Sequence, residues 1–349
     1  MVASKALGGA ERWAIRFSLA LAERGAPVDL AIRRGSGLDD LDYGSLQVHR
    51  LPFLTTWDPL SRDAVSRTIA RVRPDIVQTY MGRATRLTHL SPSKGPVHLA
   101  RLGGYYALGP FRNAHGWIGN TKQLCDWMIQ NGLPADRVHH IYNFAEPVHP
   151  VAPEQVAELR AGHGVPDEAL VMVTLGRLVG FKGHRHLVDA MARLPETIEG
   201  RPLRLIIVGD GPLGPALHRQ AIEVGQDKRI LWTGWQKDPS AYLQMADLVV
   251  FPSLDEEPMG NVILEAWAWR KPLVTANFRG AREIVRHGED GWAVSCADAV
   301  ALAGGIREVL NDPMLMAGLA ERGHARVQCD FSREAILDQY LALYRELAR

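Results

Sequence analysis

Residues 170–183 read Leu170-Val171-Met172-Val173-Thr174-Leu175-Gly176-Arg177-Leu178-Val179-Gly180-Phe181-Lys182-Gly183, and their order decides the class of fold. The apolar run is continuous rather than alternating, which predicts a strand, Leu170–Leu175, buried on both faces. Glycines then break the pattern, and apolar spacing from His184 to Leu194 predicts a helix. A buried strand, a glycine loop and a helix form half of a crossover unit, so the sheet is parallel and the class α/β. Arg177 and Lys182 lie in the loop at the strand's carboxyl end, where open parallel sheets bind ligands. A guanidinium fork and an ammonium point charge suit a diphosphate, and glycine lets backbone approach it closely. Read alone, the loop fits equally well a solvated turn with two surface cations.

The alternation continues in both directions. Downstream, strands are predicted at Leu203–Val208, Arg229–Thr233, Leu248–Phe251 and Pro272–Thr275. Helices are predicted from Pro212 and at Ser240–Met245, Gly260–Trp269, Ala297–Leu310 and Pro313–Val327. Arg333–Leu347 is amphipathic through Ile336, Tyr340, Leu343, Tyr344 and Leu347. Upstream, Gly9–Arg24 is a helix through Trp13, Phe17, Ala20 and Leu21. Strands follow at Val28–Ile32, Gln47–Leu51, Ile76–Thr79, Val97–Ala100, Gly116–Gly119 and Val138–Ile141, with helices at Pro59–Arg73 and Lys122–Gln130. Residues 146–153 hold three prolines and no periodicity, and read as a linker. Two Rossmann-like units are expected, residues 1–147 and 148–330, followed by a terminal helix over 331–349.

Composition agrees. The chain has 349 residues, 46% of them hydrophobic and 23% charged, too long for one core, since single cores stop growing near ~250–300 residues. Lys plus Arg number 40 against 39 Asp plus Glu, which lacks the basic excess of a nucleic-acid binder. Apolar runs such as Ala169–Val173 and Leu248–Phe251 fall short of the ~20 residues that span a bilayer. No basic region followed by an apolar stretch opens the chain, so no signal peptide is read and a cytoplasmic protein is expected. Cys125, Cys296 and Cys329 have neither disulfide nor metal-ligand spacing. Charge is uneven: residues 1–150 carry 18 Lys/Arg against 12 Asp/Glu, and residues 151–349 carry 22 against 27. Either this is chance, or the first half faces something anionic such as a phospholipid surface or a phosphorylated acceptor. Arg62, Arg67, Arg71 and Arg73 on one predicted helix fit peripheral attachment to an anionic membrane face, or equally a solvated face.

Two further junctions carry chemistry. Val208-Gly209-Asp210-Gly211-Pro212 lacks the third glycine of a dinucleotide fingerprint and reads as a tight turn with proline at a helix start. In Phe251-Pro252-Ser253-Leu254-Asp255-Glu256-Glu257-Pro258-Met259-Gly260-Asn261-Val262-Ile263-Leu264-Glu265-Ala266 a buried strand ends, an acidic loop follows, and a helix opens near Gly260. First-turn N–H groups and the helix dipole favour an anion there. Glu265 lies one turn beyond Asn261 on the same face, and Glu257 lies before the turn. Carboxylates on either side of an anion suit a diphosphate flanked by two sugars, although the dipole favours Glu near a helix start in any case.

Taken together, these features resemble family 4 of the retaining glycosyltransferases, of GT-B fold. The resemblance is firmest over residues 170–295, where it includes Asp247-Leu248-Val249-Val250-Phe251-Pro252-Ser253, Lys271-Pro272-Leu273-Val274-Thr275 and Gly288-Glu289-Asp290-Gly291-Trp292. Upstream, Gly8-Gly9-Ala10-Glu11-Arg12 looks like the family's first glycine loop. The resemblance implies transfer of a hexose-type sugar from a nucleotide-diphosphate-sugar to a cell-envelope glycan or lipid-linked acceptor, of lipopolysaccharide type, with neither metal nor cofactor. It implies that Arg177 and Lys182 bind the diphosphate, Glu257 the donor sugar and Glu265 the ribose. Backbone N–H groups of Met259, Gly260 and Asn261 would complete the cradle, Gly9 would let its loop close on the phosphates, and Trp235 would meet the base or simply pack. The terminal helix would cross back to the N-terminal domain.

Two departures stand out. Relatives place a His near the end of a first-half strand where this chain has Ala100-Arg101-Leu102-Gly103-Gly104-Tyr105-Tyr106, leaving Arg101, Tyr105 or backbone on the acceptor side. His115 reads as structural. Only Met1-Val2-Ala3 stands where a full first strand is expected, which would weaken the N-terminal sheet. A non-catalytic nucleotide-sugar binder and a nucleotide-sugar epimerase of the same fold are the competing readings.

Overall fold

The computed structural model describes residues 1–6 and 8–348. It divides into two units, Met1–Asn143 with Arg333–Arg349, and Phe144–Ser332. The boundaries expected at 147/148 and 330/331 shift because the Ala145 N–H donates to the Phe331 carbonyl at 2.9 Å, drawing both residues into the second unit. The linker also ends sooner than predicted. Pro153 opens a helix, Pro153–Gly162, where its fixed φ suits the first turn and its missing N–H is not needed.

In the first unit, strands β1 (Asp29–Arg33) and β2 (Gln47–Leu51) pair in parallel, and β3 (Ile76–Tyr80), β4 (Val97–Leu102), β5 (Gly116–Gly119) and β6 (Val138–His140) form a second parallel set. Val2 bridges Ile32 and Tyr80 in parallel and so joins the two sets. Its N–H donates to Ala31 O at 2.8 Å, and the Tyr80 N–H donates to Met1 O at 3.1 Å. Val2 and Ala3 are buried, so the sheet is continuous at the place where a short start predicts weakness. Strand β4 runs two residues beyond its predicted end, through Arg101 and Leu102, and the helix Met81–Leu87 lies in a stretch with no predicted element.

The terminal helix, Arg333–Leu347, belongs to this first unit. Tyr340, fully buried, meets Phe17 at 4.4 Å and Trp13 at 5.9 Å between ring centroids; both lie on the helix Gly9–Glu23. Tyr344 Oη donates to Gln78 Oε1 at 2.7 Å. The exposed pairs Arg24–Asp338 and Arg333–Glu23, each at 2.7 Å, add little beside this aromatic contact.

The second unit centres on a sheet ordered β10-β9-β7-β11-β12-β13, built from β7 (Leu170–Leu175), β9 (Arg201–Val208), β10 (Ile230–Gly234), β11 (Leu248–Phe251), β12 (Leu273–Ala276) and β13 (Trp292–Val294). All those pairings are parallel. The short β8 (Thr197–Ile198) adds an antiparallel hairpin to β9, turning through Glu199 and Gly200, both at positive φ, as a two-residue hairpin requires.

Asp290 ties this unit's last helices to its sheet. Its carboxylate, fully buried, meets Arg286 Nε at 2.6 Å and Arg326 Nη1 at 2.9 Å, and its carbonyl accepts from Trp267 Nε1 at 2.7 Å. Removing one member of a buried pair strands the other. Asp290→Ala is therefore expected to lower stability by about 3–5 kcal/mol, while Arg286→Ala, at a half-exposed partner, should lower it by about 1 kcal/mol or less. Urea unfolding of the two variants checks this, and equal losses would refute the hub.

Candidate active site

The site is built by backbone before side chains. Strand β7 ends at Leu175, the chain turns through Gly180–Lys182, and Gly183 at φ +68 leads into the helix His184–Met191. A Cβ on Gly183 would stand 1.9 Å from the Pro252 carbonyl oxygen, at the end of β11. The Leu254 N–H donates to the Phe181 carbonyl at 2.7 Å. The loops after β7 and β11 are thereby locked together. Gly209, after β9, makes the equivalent approach on the other side: its Cβ would stand 1.9 Å from Gly176 O, while its N–H donates to Gly234 O at 2.9 Å.

This lock brings Lys182 and Glu257 together. Lys182 Nζ lies 2.5 Å from Glu257 Oε2, with both side chains largely buried. Ser253 Oγ donates to the same oxygen at 3.4 Å. The Lys182 stem passes Gly176 and its ammonium stands 5.0 Å from the Phe251 ring centroid. Arg177 is exposed one residue after Gly176, and its guanidinium has no ion pair among the described residues. Met259 and Gly260 are buried; Gly260, in the left-handed region, caps the helix Asn261–Ala268. Asn261 and Glu265 are half-buried on that helix. Trp235 is 57% exposed just beyond β10. Among the described residues no group of three or more His, Cys, Asp or Glu is placed to hold a metal ion.

The family profile described as Glycosyl transferases group 1 matches residues 155–326, and that described as Glycosyltransferase Family 4 matches residues 7–149. Lipopolysaccharide core biosynthesis glycosyltransferase LpsE of Rhizobium meliloti (strain 1021) is 34% identical over 343 residues, covering 96% of this chain and 95% of the relative. LpsD of the same strain is 31% identical, covering 97% and 95%. The chain belongs to glycosyltransferase family 4. Among solved structures, a glycosyltransferase from Rickettsia africae ESF-5 has TM-score 0.82 at 19% identity, covering 100% of this chain and 97% of that one. Anabaena Alr3699/HepE in complex with UDP-glucose has TM-score 0.82 at 23%, covering 98% and 97%. The fold is GT-B.

In this glycosyltransferase, Gly9 lies in the first unit as the first residue of its helix. A Cβ there would meet nothing within 4 Å, so the position is open. The loop before it is held by Glu11, buried, which accepts from the Gly8 N–H at 2.9 Å and from Ser4 Oγ. Arg101, a candidate acceptor group, is instead consumed internally: it is buried, stacks 3.6 Å from the Trp13 ring centroid, and donates to Tyr340 Oη at 3.1 Å and to Asn143 Oδ1. His115 is structural, its Nδ1 accepting from the His98 N–H at 3.1 Å.

Sequence reasoning missed Ser253 as a carboxylate partner and His184 as a buried neighbour of the site. Ser253 stood inside the quoted motif, whereas nothing in the spacing marked His184. That histidine is buried, with no hydrogen-bond partner on either ring nitrogen. Burial, and secondarily the Lys182 charge, push its imidazole down to about 4.

Two outcomes follow for the transferase. An unfolded histidine titrates near ~6.5, so His184 stabilises the fold fully above that pH, and stability is lost as pH falls from about 6.5 to about 4. His98, lowered to about 3 chiefly by burial, adds a second loss. Replacing His184 with Leu should remove about 3 kcal/mol of the wild type's pH dependence across that window, read by chemical unfolding at pH 7 and pH 4. Separately, Gly183→Ala should separate Lys182 from Glu257 and lower turnover at least ~100-fold, since small misplacements of a positioned group carry penalties of that order. Steady-state kinetics near wild-type values would show that the backbone lock does not set the site.

Proposed function

We propose that this glycosyltransferase moves a hexose, with retained anomeric configuration and without a required metal or cofactor, from a nucleotide-diphosphate-sugar to a lipopolysaccharide-type cell-envelope glycan or glycolipid. The Lys182–Glu257 contact at 2.5 Å carries this reading. It sets an ammonium and a carboxylate side by side at the carboxyl end of a parallel sheet, where a diphosphate and a sugar hydroxyl are needed together. LpsE and LpsD are named for lipopolysaccharide core biosynthesis, and they match this chain along nearly all of its length. HepE has been solved with UDP-glucose, which supports a nucleotide-sugar donor. The protein would work in the cytoplasm, at or near the membrane that holds its acceptor. No described helix is long and apolar enough to cross that membrane.

Each residue then has a physical task. As the bond from the sugar's C1 to the diphosphate breaks, negative charge grows on the departing oxygen. Lys182 and the uncommitted Arg177 guanidinium bind that charge more tightly in the transition state than in the ground state, which lowers the barrier. Glu257 holds sugar hydroxyls and, through its ion pair, keeps Lys182 aimed. The first turn of Asn261–Ala268, with the backbone of Met259 and Gly260 leading into it, offers N–H groups to the phosphates. Glu265 takes the ribose, and Trp235 stacks on the base. The acceptor hydroxyl oxygen bonds C1 on the face the diphosphate leaves, and its proton passes to the departing diphosphate oxygen.

A panel of UDP-, GDP-, ADP- and dTDP-sugars tests the reading by thermal shift and donor hydrolysis. One donor should raise the melting temperature. Arg177→Ala and Glu257→Gln should each lower turnover by about 10²–10³-fold, the order lost when one group that binds the transition state is removed, with folding intact and with no effect of a chelator. Near-normal turnover in both variants would reject the assignment. Release of an isomerised free nucleotide sugar would move it to an epimerase, and nucleotide binding with no transfer to any acceptor would move it to a binding protein.

A further inference from the structure

Between β2 and the helix Pro59–Val72, the first unit displays three large apolar side chains to solvent. Leu54 is 51% exposed, Trp57 74% and Leu60 68%. The backbone beneath them is firmly held. Phe53 is fully buried, the Leu54 N–H donates to Ser61 Oγ at 3.0 Å, and Asp58 caps the helix by accepting from the Leu60 and Ser61 N–H groups at 3.3 and 2.9 Å. A loop so fixed keeps an indole and two leucines in water, where they forgo the stabilisation of burial.

Cations stand around these tips. The Arg86 guanidinium stacks 3.8 Å from the Trp57 ring centroid and donates to the Gly109 carbonyl at 3.4 Å, with no ion pair among the described residues. Arg62 is exposed and has no ion pair among the described residues. His89 senses both: burial first, then the Arg62 and Arg86 charges, hold its imidazole below the ordinary range. The nearby carboxylates are committed, Asp58 to the helix cap and Asp63 to Arg67 at 2.6 Å. Apolar tips therefore project amid positive charge that no carboxylate of the segment offsets.

We propose that Leu54, Trp57 and Leu60, with Arg62 and Arg86, form a docking surface for an anionic phospholipid bilayer. Indole and leucine enter the headgroup boundary while the guanidinium groups meet lipid phosphates, the combination that holds peripheral proteins at membranes. A neutral partner would leave the cations unused, and a soluble anion would leave the apolar tips in water. The surface deepens the membrane attachment in the functional reading above, but its test needs neither donor nor acceptor.

The full chain is sedimented with phosphatidylcholine vesicles lacking or containing phosphatidylglycerol. Wild type is expected on the anionic vesicles. The Trp57→Ala/Leu60→Ala double variant should partition at least about tenfold less, and Arg62→Glu should lose the preference for anionic lipid. Melting temperature and donor hydrolysis should be unchanged in both. Failure of wild type to bind, or equal binding by the double variant, would overturn the proposal. A solution dimer dissolved by the double substitution, without vesicle binding, would reassign the surface to a second copy of the chain. Patch-dependent vesicle binding without hydrolysis of any donor would leave the docking surface standing and reject the enzymatic reading instead.

Discussion

The contact between Gly183 and the Pro252 carbonyl is the constraint from which the candidate site follows. At 1.9 Å from that oxygen there is no room for a Cβ, so two loops more than sixty residues apart in sequence approach backbone to backbone. The residue before the glycine is Lys182, and Glu257 lies five beyond the carbonyl. An ion pair of two long side chains gains little when both must be ordered to make it. Here the ordering comes from peptide planes, from the Leu254–Phe181 hydrogen bond and from a lysine stem laid along Gly176 and Phe251. The pair is a consequence of the fold rather than a cause of it.

The sheet explains why that contact falls where it does. From β7 the chain builds outward through β9 and β10 on one side, and β11 starts the run through β12 and β13 on the other. Strands β7 and β11 are neighbours at the point where the strand order reverses, the place at which open α/β sheets bind ligands. Gly209 on Gly176 and Gly183 on Pro252 bring the loop after β7 against backbone on either side.

Much of this was legible in the sequence because it is local. Continuous apolar runs gave the buried strands, glycines and prolines gave the turns, and Arg177, Lys182, Glu257, Gly260 and Glu265 all lie within a few residues of a strand end or helix start. What escaped was either short or long-range. The β8 hairpin has two residues per strand and no period to detect. Met81–Leu87 is too short for helical spacing to outweigh its Gly and Thr. Val2 takes a central place in a sheet by bridging residues 32 and 80, which no pattern over three residues encodes. The arginine run 62–73 was visible as charge, yet Arg67 is neutralised by Asp63 and Arg71 Nη2 is shared with His49 at 3.2 Å. Among the described residues Arg62 has no ion pair, and the cation that stacks on Trp57 is Arg86, from another helix.

Arg101 shows how a residue that reads as functional becomes structural. At the end of β4, in an open parallel sheet, a cation invites assignment to a ligand. The fold surrounds it instead with neutral acceptors and π-density: Tyr340 Oη, Asn143 Oδ1 and the face of Trp13. A guanidinium tolerates this because its charge is delocalised and weakly hydrated and it does not deprotonate. A carboxylate partner there would titrate as pH fell and leave the cation unpaired. With Tyr340 on the terminal helix and Trp13 on the first, the buried cation joins the two ends of the chain into one unit. Arg101 is thereby spent inside the first unit and is not free to meet a ligand.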